Sequence, residues 1–184
     1  IQCKSIELSL LLSIPASLGL IIASQEIVSA LFGYGSFTLE NVKMTSAALK
    51  FFGYGVPAFA LIKILSNFFF ARSNTKTPFY ISIFIVLLNI IISLSFFSSY
   101  GFIVIPIATS FSTWVGVIIY IYILNDKDYL LLKSYLPKNI VKIILSSILM
   151  SFLLLFALDY YANYLDHDYR YKSCLLYTSP SPRD

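Results

Sequence analysis

Asn89, Ser93, Ile105 and Thr109 are the residues of this 184-residue sequence whose types and spacing could do chemistry inside its long apolar runs. Ser93 follows Asn89 at helical spacing and shares its face. Folded as a hairpin about Ser99 and Tyr100, the two flanking runs bring Asn89 and Thr109 to similar depth and Ile105 nearly level with Ser93. Pro106 has no backbone N–H, so a carbonyl in the preceding turn lacks its usual partner. Amide, hydroxyl and carbonyl oxygens are the ligands a small hard cation such as sodium uses. The same groups also read as an interhelical hydrogen bond from Asn89 to a Ser or Thr, which needs no ion. No carboxylate stands among them to balance a charge.

A second group lies in GYGVP, where Gly53, Gly55 and Pro57 weaken a helical hydrogen-bond ladder and set up a hinge, a cavity wall or a packing kink. Lys63 lies nine residues before Arg72, which is roughly 13 Å along a helix. Its amine either snorkels to the interface or faces a wet cavity. Enzyme signatures are absent: there is no G-x-S-x-G, P-loop or H-E-x-x-H. The single His167, between Asp166 and Asp168, reads as a solvated loop residue, and Asp126 with Asp128 as a cytoplasmic turn. Cys3 and Cys174 form neither a disulfide framework nor a metal pair.

The elements that must position these groups are set by composition. Hydrophobic residues make up 58% of the chain and charged ones 12%, and mean hydropathy is +0.82, which places the chain in a bilayer. The basic residues are dispersed between apolar runs rather than gathered in a stripe, which argues against nucleic acid. Five runs are long enough to cross as helices, at about residues 6–32, 45–70, 79–97, 102–124 and 141–158. Near-continuous Leu, Ile and Phe excludes the alternation of a barrel. The expected fold is therefore an all-α membrane protein with five transmembrane helices. The opening IQCKSIELSL has neither an initiator Met nor a cleavage site, so the chain reads as a fragment of a longer protein.

Charge gives orientation. Arg72 and Lys76 in ARSNTKTP, and Lys127, Lys133, Lys138 and Lys142 further on, mark two cytoplasmic loops. The SSYG turn between them carries no base and faces outward, and Lys4 falls on the inner side by the same parity.

The runs LFGYGSFT, MTSAALKFFGYGVPAFALIKILSNFFFARSNTKTP and GFIVIPIATSFSTW, in that order, resemble the MurJ (MviN) family of lipid II flippases over roughly residues 6 to 125. In that family an outward F-G-x-G-x-F-T turn leads into a helix that ends at an F-Y-A-R-x-D-T-x-T-P loop. Here the loop is Phe69 to Pro78, including Arg72, Lys76, Thr77 and Pro78, with Asn74 in place of the usual Asp. The resemblance implies a two-lobe transporter of about fourteen spans in the multidrug, oligosaccharidyl-lipid and polysaccharide exporter superfamily, of which residues 1–173 would supply spans nine to thirteen. It implies transport of undecaprenyl-linked peptidoglycan precursor across the bacterial inner membrane by alternating access, without enzymatic chemistry. The partners would be that lipid, membrane lipids, and an N-terminal lobe and last span of the same protein. A sodium site similar to that of some relatives would fall on Asn89, Ser93, Ile105 and Thr109, with Ser93 where an acid or amide is more usual. The alternatives are another lipid-linked polysaccharide or drug exporter of the superfamily, or a non-transporting membrane scaffold. The closing CLLYTSPSPRD, residues 174–184, reads as translated sequencing-adapter read-through rather than family sequence.

Overall fold

A computed structural model describes residues 2–32, 38–126 and 136–165. The expectations for Lys127, Asp128, Lys133, Asp166 to Asp168 and the closing 174–184 stretch lie outside the described residues. The elements are α1 (Gln2–Ile22), α2 (Ser24–Phe32), α3 (Leu39–Phe70), α4 (Lys76–Tyr100), a 3-10 turn (Gly101–Ile103), α5 (Val104–Asp126) and α6 (Leu136–Leu165). Among the described residues, four continuous apolar stretches are long enough to cross a bilayer, and one of them, Lys76–Asp126, is 51 residues long. Gly101, at φ +64°, reverses that stretch and folds it into the antiparallel pair α4 and α5, so the chain makes five crossings.

The first run, read from sequence as one span, is two helices. Ala23 interrupts the helix, although Ala23 N–H still donates to the Gly19 carbonyl and Ile27 N–H to that of Ala23, both at 2.9 Å. Ser24, whose hydroxyl turns back to the Ile21 carbonyl at 3.4 Å, offers the backbone a local alternative to the ladder. α3 begins where Thr38 accepts the Asn41 N–H at 3.3 Å, with Glu40 in its positive first turn.

The helices stand side by side in the order α6, α1, α3, α5, α4, with α2 also against α3. Small polar residues are buried between them alongside a larger set of apolar ones. Ser13, Ser17, Ser46, Ser110, Ser112, Thr113 and Ser147 are buried, while Leu94 is 74% exposed and Ile91 61%. This is the arrangement a bilayer selects: lipid tails are as apolar as Leu, so large side chains gain little by facing inward, and small residues let backbones approach. Most buried hydroxyls bond their own helix, Ser112 to the Ala108 carbonyl at 2.6 Å and Ser147 to that of Ile143 at 2.7 Å. An apolar cluster of Ala58, Leu65, Phe69, Ile81, Val117, Tyr120 and Leu124 binds α3, α4 and α5 together.

α3 runs unbroken through Pro57, whose missing N–H deprives the Gly53 carbonyl of its helical donor. Ser17 of α1 supplies a replacement, its hydroxyl donating to that carbonyl at 2.7 Å. Gly53 permits this approach, since a Cβ there would stand 2.8 Å from Ile21 Cγ1 and 3.4 Å from the Ser17 carbonyl. Ser17→Ala should cost about 1–3 kcal/mol by leaving a buried carbonyl unsatisfied. In a Pro57→Ala background, where the backbone N–H returns, the cost should fall by at least half; a double-mutant cycle on thermal unfolding in detergent measures it.

Candidate functional site

The hairpin of α4 and α5 brings together the groups expected from their depth. Asn89 Nδ2 donates to Thr109 Oγ1 at 3.1 Å, and Ser93 Oγ donates to Asn89 Oδ1 at 3.0 Å. Thr109 Oγ1 donates in turn to the Ile105 carbonyl at 2.7 Å. Asn89, Ser93, Thr109 and the Ile105 backbone are thus one continuous chain of hydrogen bonds across two helices. Its oxygens are neutral and come from an amide, two hydroxyls and a carbonyl, a donor set suited to a hard monovalent cation. Each hydroxyl proton is already committed to a neighbour, so the set is also complete as an interhelical tie.

On its other face α5 holds α3. Ser110 Oγ donates to the Phe51 carbonyl at 2.7 Å and Trp114 Nε1 to the Tyr54 carbonyl at 3.0 Å. With Ser17 on the opposite side, three carbonyls in and just before the Gly53–Pro57 segment accept side-chain donors from two neighbouring helices. Gly53, Gly55 and Pro57 therefore lie in a segment gripped from both sides. Ser17, Ser110 and Trp114 escape sequence reasoning: Pro57 announces that a donor is needed nearby, but not from which helix.

Lys63, three residues past Ala60 on the same helix, is exposed. It lines a cleft of about 430 Å³ between α1 and α3, with Ser5, Ser9, Leu8 and Ala60. The polar Ser5 and Ser9 beside it were not singled out by sequence, because nothing in α1 alone marks which of its serines face α3.

The loop between α3 and α4 is built on Phe69, whose carbonyl accepts the N–H groups of both Arg72 and Asn74 at 3.0 Å. Ser73 takes a left-handed φ of +57°, a conformation used at single residues where a helix is turned back. Asn74 then caps α4, its Oδ1 accepting the Thr77 N–H at 3.2 Å while its amide contacts the Thr77 hydroxyl at 3.0 Å. Pro78 falls in the first turn, where its missing N–H costs nothing, and its carbonyl accepts from Ser82 Oγ at 2.9 Å. Arg72 and Lys76 are exposed at this end.

Known proteins give this architecture a context. The family model for "Lipid II flippase MurJ" matches residues 1–175. A probable lipid II flippase MurJ of Rickettsia prowazekii is 34% identical over 171 residues, covering 92% of this chain and 33% of that protein. The lipid II flippase MurJ of Thermosipho africanus is 30% identical over 165 residues, covering 90% of this chain and 32% of that protein. A solved structure of lipid II flippase MurJ in an inward closed conformation superposes with a TM-score of 0.76 at 28% identity, covering 85% of this chain and 32% of that one. The chain thus spans about a third of the length of these relatives.

The Asn89–Thr109 bond should contribute modestly, since interhelical hydrogen bonds in membranes average about 0.6 kcal/mol and reach about 1.7. Coupling between Asn89→Ala and Thr109→Val, read from thermal unfolding of the four cycle members in sodium-free buffer, is expected in that range.

Proposed function

The chain belongs to the MurJ family of lipid II flippases, and from that membership we propose that it forms about a third of a transporter that moves lipid II across the bacterial inner membrane by alternating access. Lys63 carries the reading. A lysine facing lipid near the centre of a span costs about 2.5–3.5 kcal/mol, so Lys63, exposed beside Ser5 and Ser9 on an open and mostly apolar groove, calls for a polar or anionic counterpart in the complete protein. An amine so placed suits the anionic, phosphate-bearing headgroup of a polyprenyl-linked substrate. The gripped Gly53–Pro57 segment would keep α1, α3 and α5 moving as one body while the cleft changes its access, as rigid-body alternation requires. The basic loops, placed inside by charge, set the orientation in which the Lys63 cleft opens toward the cytoplasmic half.

The complete protein carrying this chain should restore growth to bacteria depleted of their own flippase and bring lipid II to the outer face. Lys63→Glu should lower that translocation about 10–100-fold, the loss of one charge-assisted contact, while Lys63→Arg retains most of it. A stable, correctly inserted protein that restores neither growth nor lipid II exposure would favour a non-transporting scaffold.

Within this reading we propose Asn89, Ser93, Thr109 and the Ile105 carbonyl as part of a sodium ligand set, supported by the convergence of their oxygens. Bound there, sodium would tie α4 to α5 by electrostatics. A charge-balancing carboxylate would have to come from outside these four residues. Sodium, against potassium at equal ionic strength, should raise the unfolding temperature of the complete protein, and Asn89→Ala should abolish the difference; a rise that persists in that variant would remove the assignment.

A further inference from the structure

Beside the Lys63 cleft, and sharing Leu8 with it, lies a second cleft, between α1 and α6, that the transport reading does not use. α1 and α6 pack against each other, and between their first turns is a space of about 370 Å³ lined by Lys4, Glu7, Leu8, Leu11, Asn139 and Lys142, among others. Asn139 Nδ2 donates to Glu7 Oε1 at 3.0 Å, which closes the two helices together and commits one oxygen of the carboxylate to a neutral donor. Lys4 and Lys142 are exposed at the rim, one from each helix, so two lysines and one carboxylate line the same cleft. Below them the floor is apolar: Leu8 is 58% exposed, Leu11 49%, and Ile143 is buried beneath.

We propose that this cleft binds an anionic phospholipid of the inner leaflet, its phosphodiester between Lys4 and Lys142 and the start of an acyl chain over Leu8 and Leu11. Three features select this occupant. The excess of positive charge complements a single phosphate, and basic pockets between transmembrane helices on the cytoplasmic side take lipid headgroups. The lysines sit at the interfacial level and the leucines deeper in the span, which matches the polarity gradient of a lipid along the membrane normal. The cleft, about 370 Å³, is an open groove along the two helices rather than an enclosed pocket, which suits a lipid lying against the protein from the bilayer side. The site rests on the inner-face orientation of the proposed function, but its test reads lipid binding and needs no translocation.

The complete protein in detergent would be titrated with phosphatidylglycerol and with phosphatidylethanolamine, and retained lipid counted by native mass spectrometry. Phosphatidylglycerol should bind preferentially, about fivefold more weakly in Lys4→Gln or Lys142→Gln and about thirtyfold more weakly in the double variant. Lys4→Arg with Lys142→Arg should retain binding, and Glu7→Gln should tighten it; both keep the test readable if the glutamine variants fold poorly. Soluble glycerophosphate should not displace the lipid, because it lacks the chain that Leu8 and Leu11 hold. Undiminished phosphatidylglycerol retention in a folded double glutamine variant would overturn the proposal. So would its displacement by equimolar lipid II, which would assign the cleft to the substrate.

Discussion

A proline in the middle of a membrane helix leaves one carbonyl without a donor where no water can supply one, and the arrangement of this bundle follows from how that deficit is met. Pro57 removes the N–H that would bond Gly53, and Ser17 answers it at 2.7 Å from the neighbouring helix. The answer requires α1 and α3 to lie close, which Gly53 allows, and it fixes their relative height. α5 closes on the other side through Ser110 and Trp114. In a solvent that offers no hydrophobic reward for helix association, these few directional bonds add register to the close packing that joins α1, α3 and α5.

The remaining contacts divide along the membrane normal. Toward the end that carries the Arg72 loop the bundle is held by bulky packing, with Phe69 and Tyr120 at ring centroids 5.8 Å apart and Leu65, Ile81 and Leu124 around them. Farther out, between α4 and α5, the tie is polar and local, carried by Asn89, Ser93 and Thr109. The loop at the packed end has its own order, since Phe69 accepts two loop N–H groups and Asn74 caps the next helix. A neutral amide suffices there, because a cap needs an acceptor oxygen rather than a charge.

Much of this was legible in the sequence, for identifiable reasons. The crossings follow from run length, and the partnership of Asn89 with Thr109 follows from counting residues away from a tight reversal, where depth is nearly determined. The break at Ala23 was not legible, as it arises at a residue that is itself a good helix former, beside a Ser that reads equally well inside a membrane helix. Nor was the pairing of Glu7 with Asn139, separated by 132 residues and joined only because α6 returns to α1. Ser17 illustrates the general limit: its type is ordinary, and its importance lies in a carbonyl 36 residues away.

The short reversal at Gly101 carries a consequence for how such a sequence can drift. Twelve positions separate Asn89 from Gly101 and eight separate Gly101 from Thr109. Most of those positions are exposed on the hairpin and can exchange one apolar residue for another without disturbing it. Their number is under stricter control, because one inserted residue would rotate everything beyond it by about 100° and shift it by about 1.5 Å, turning Asn89 away from Thr109. Descendants of this hairpin are free in spelling and fixed in metre.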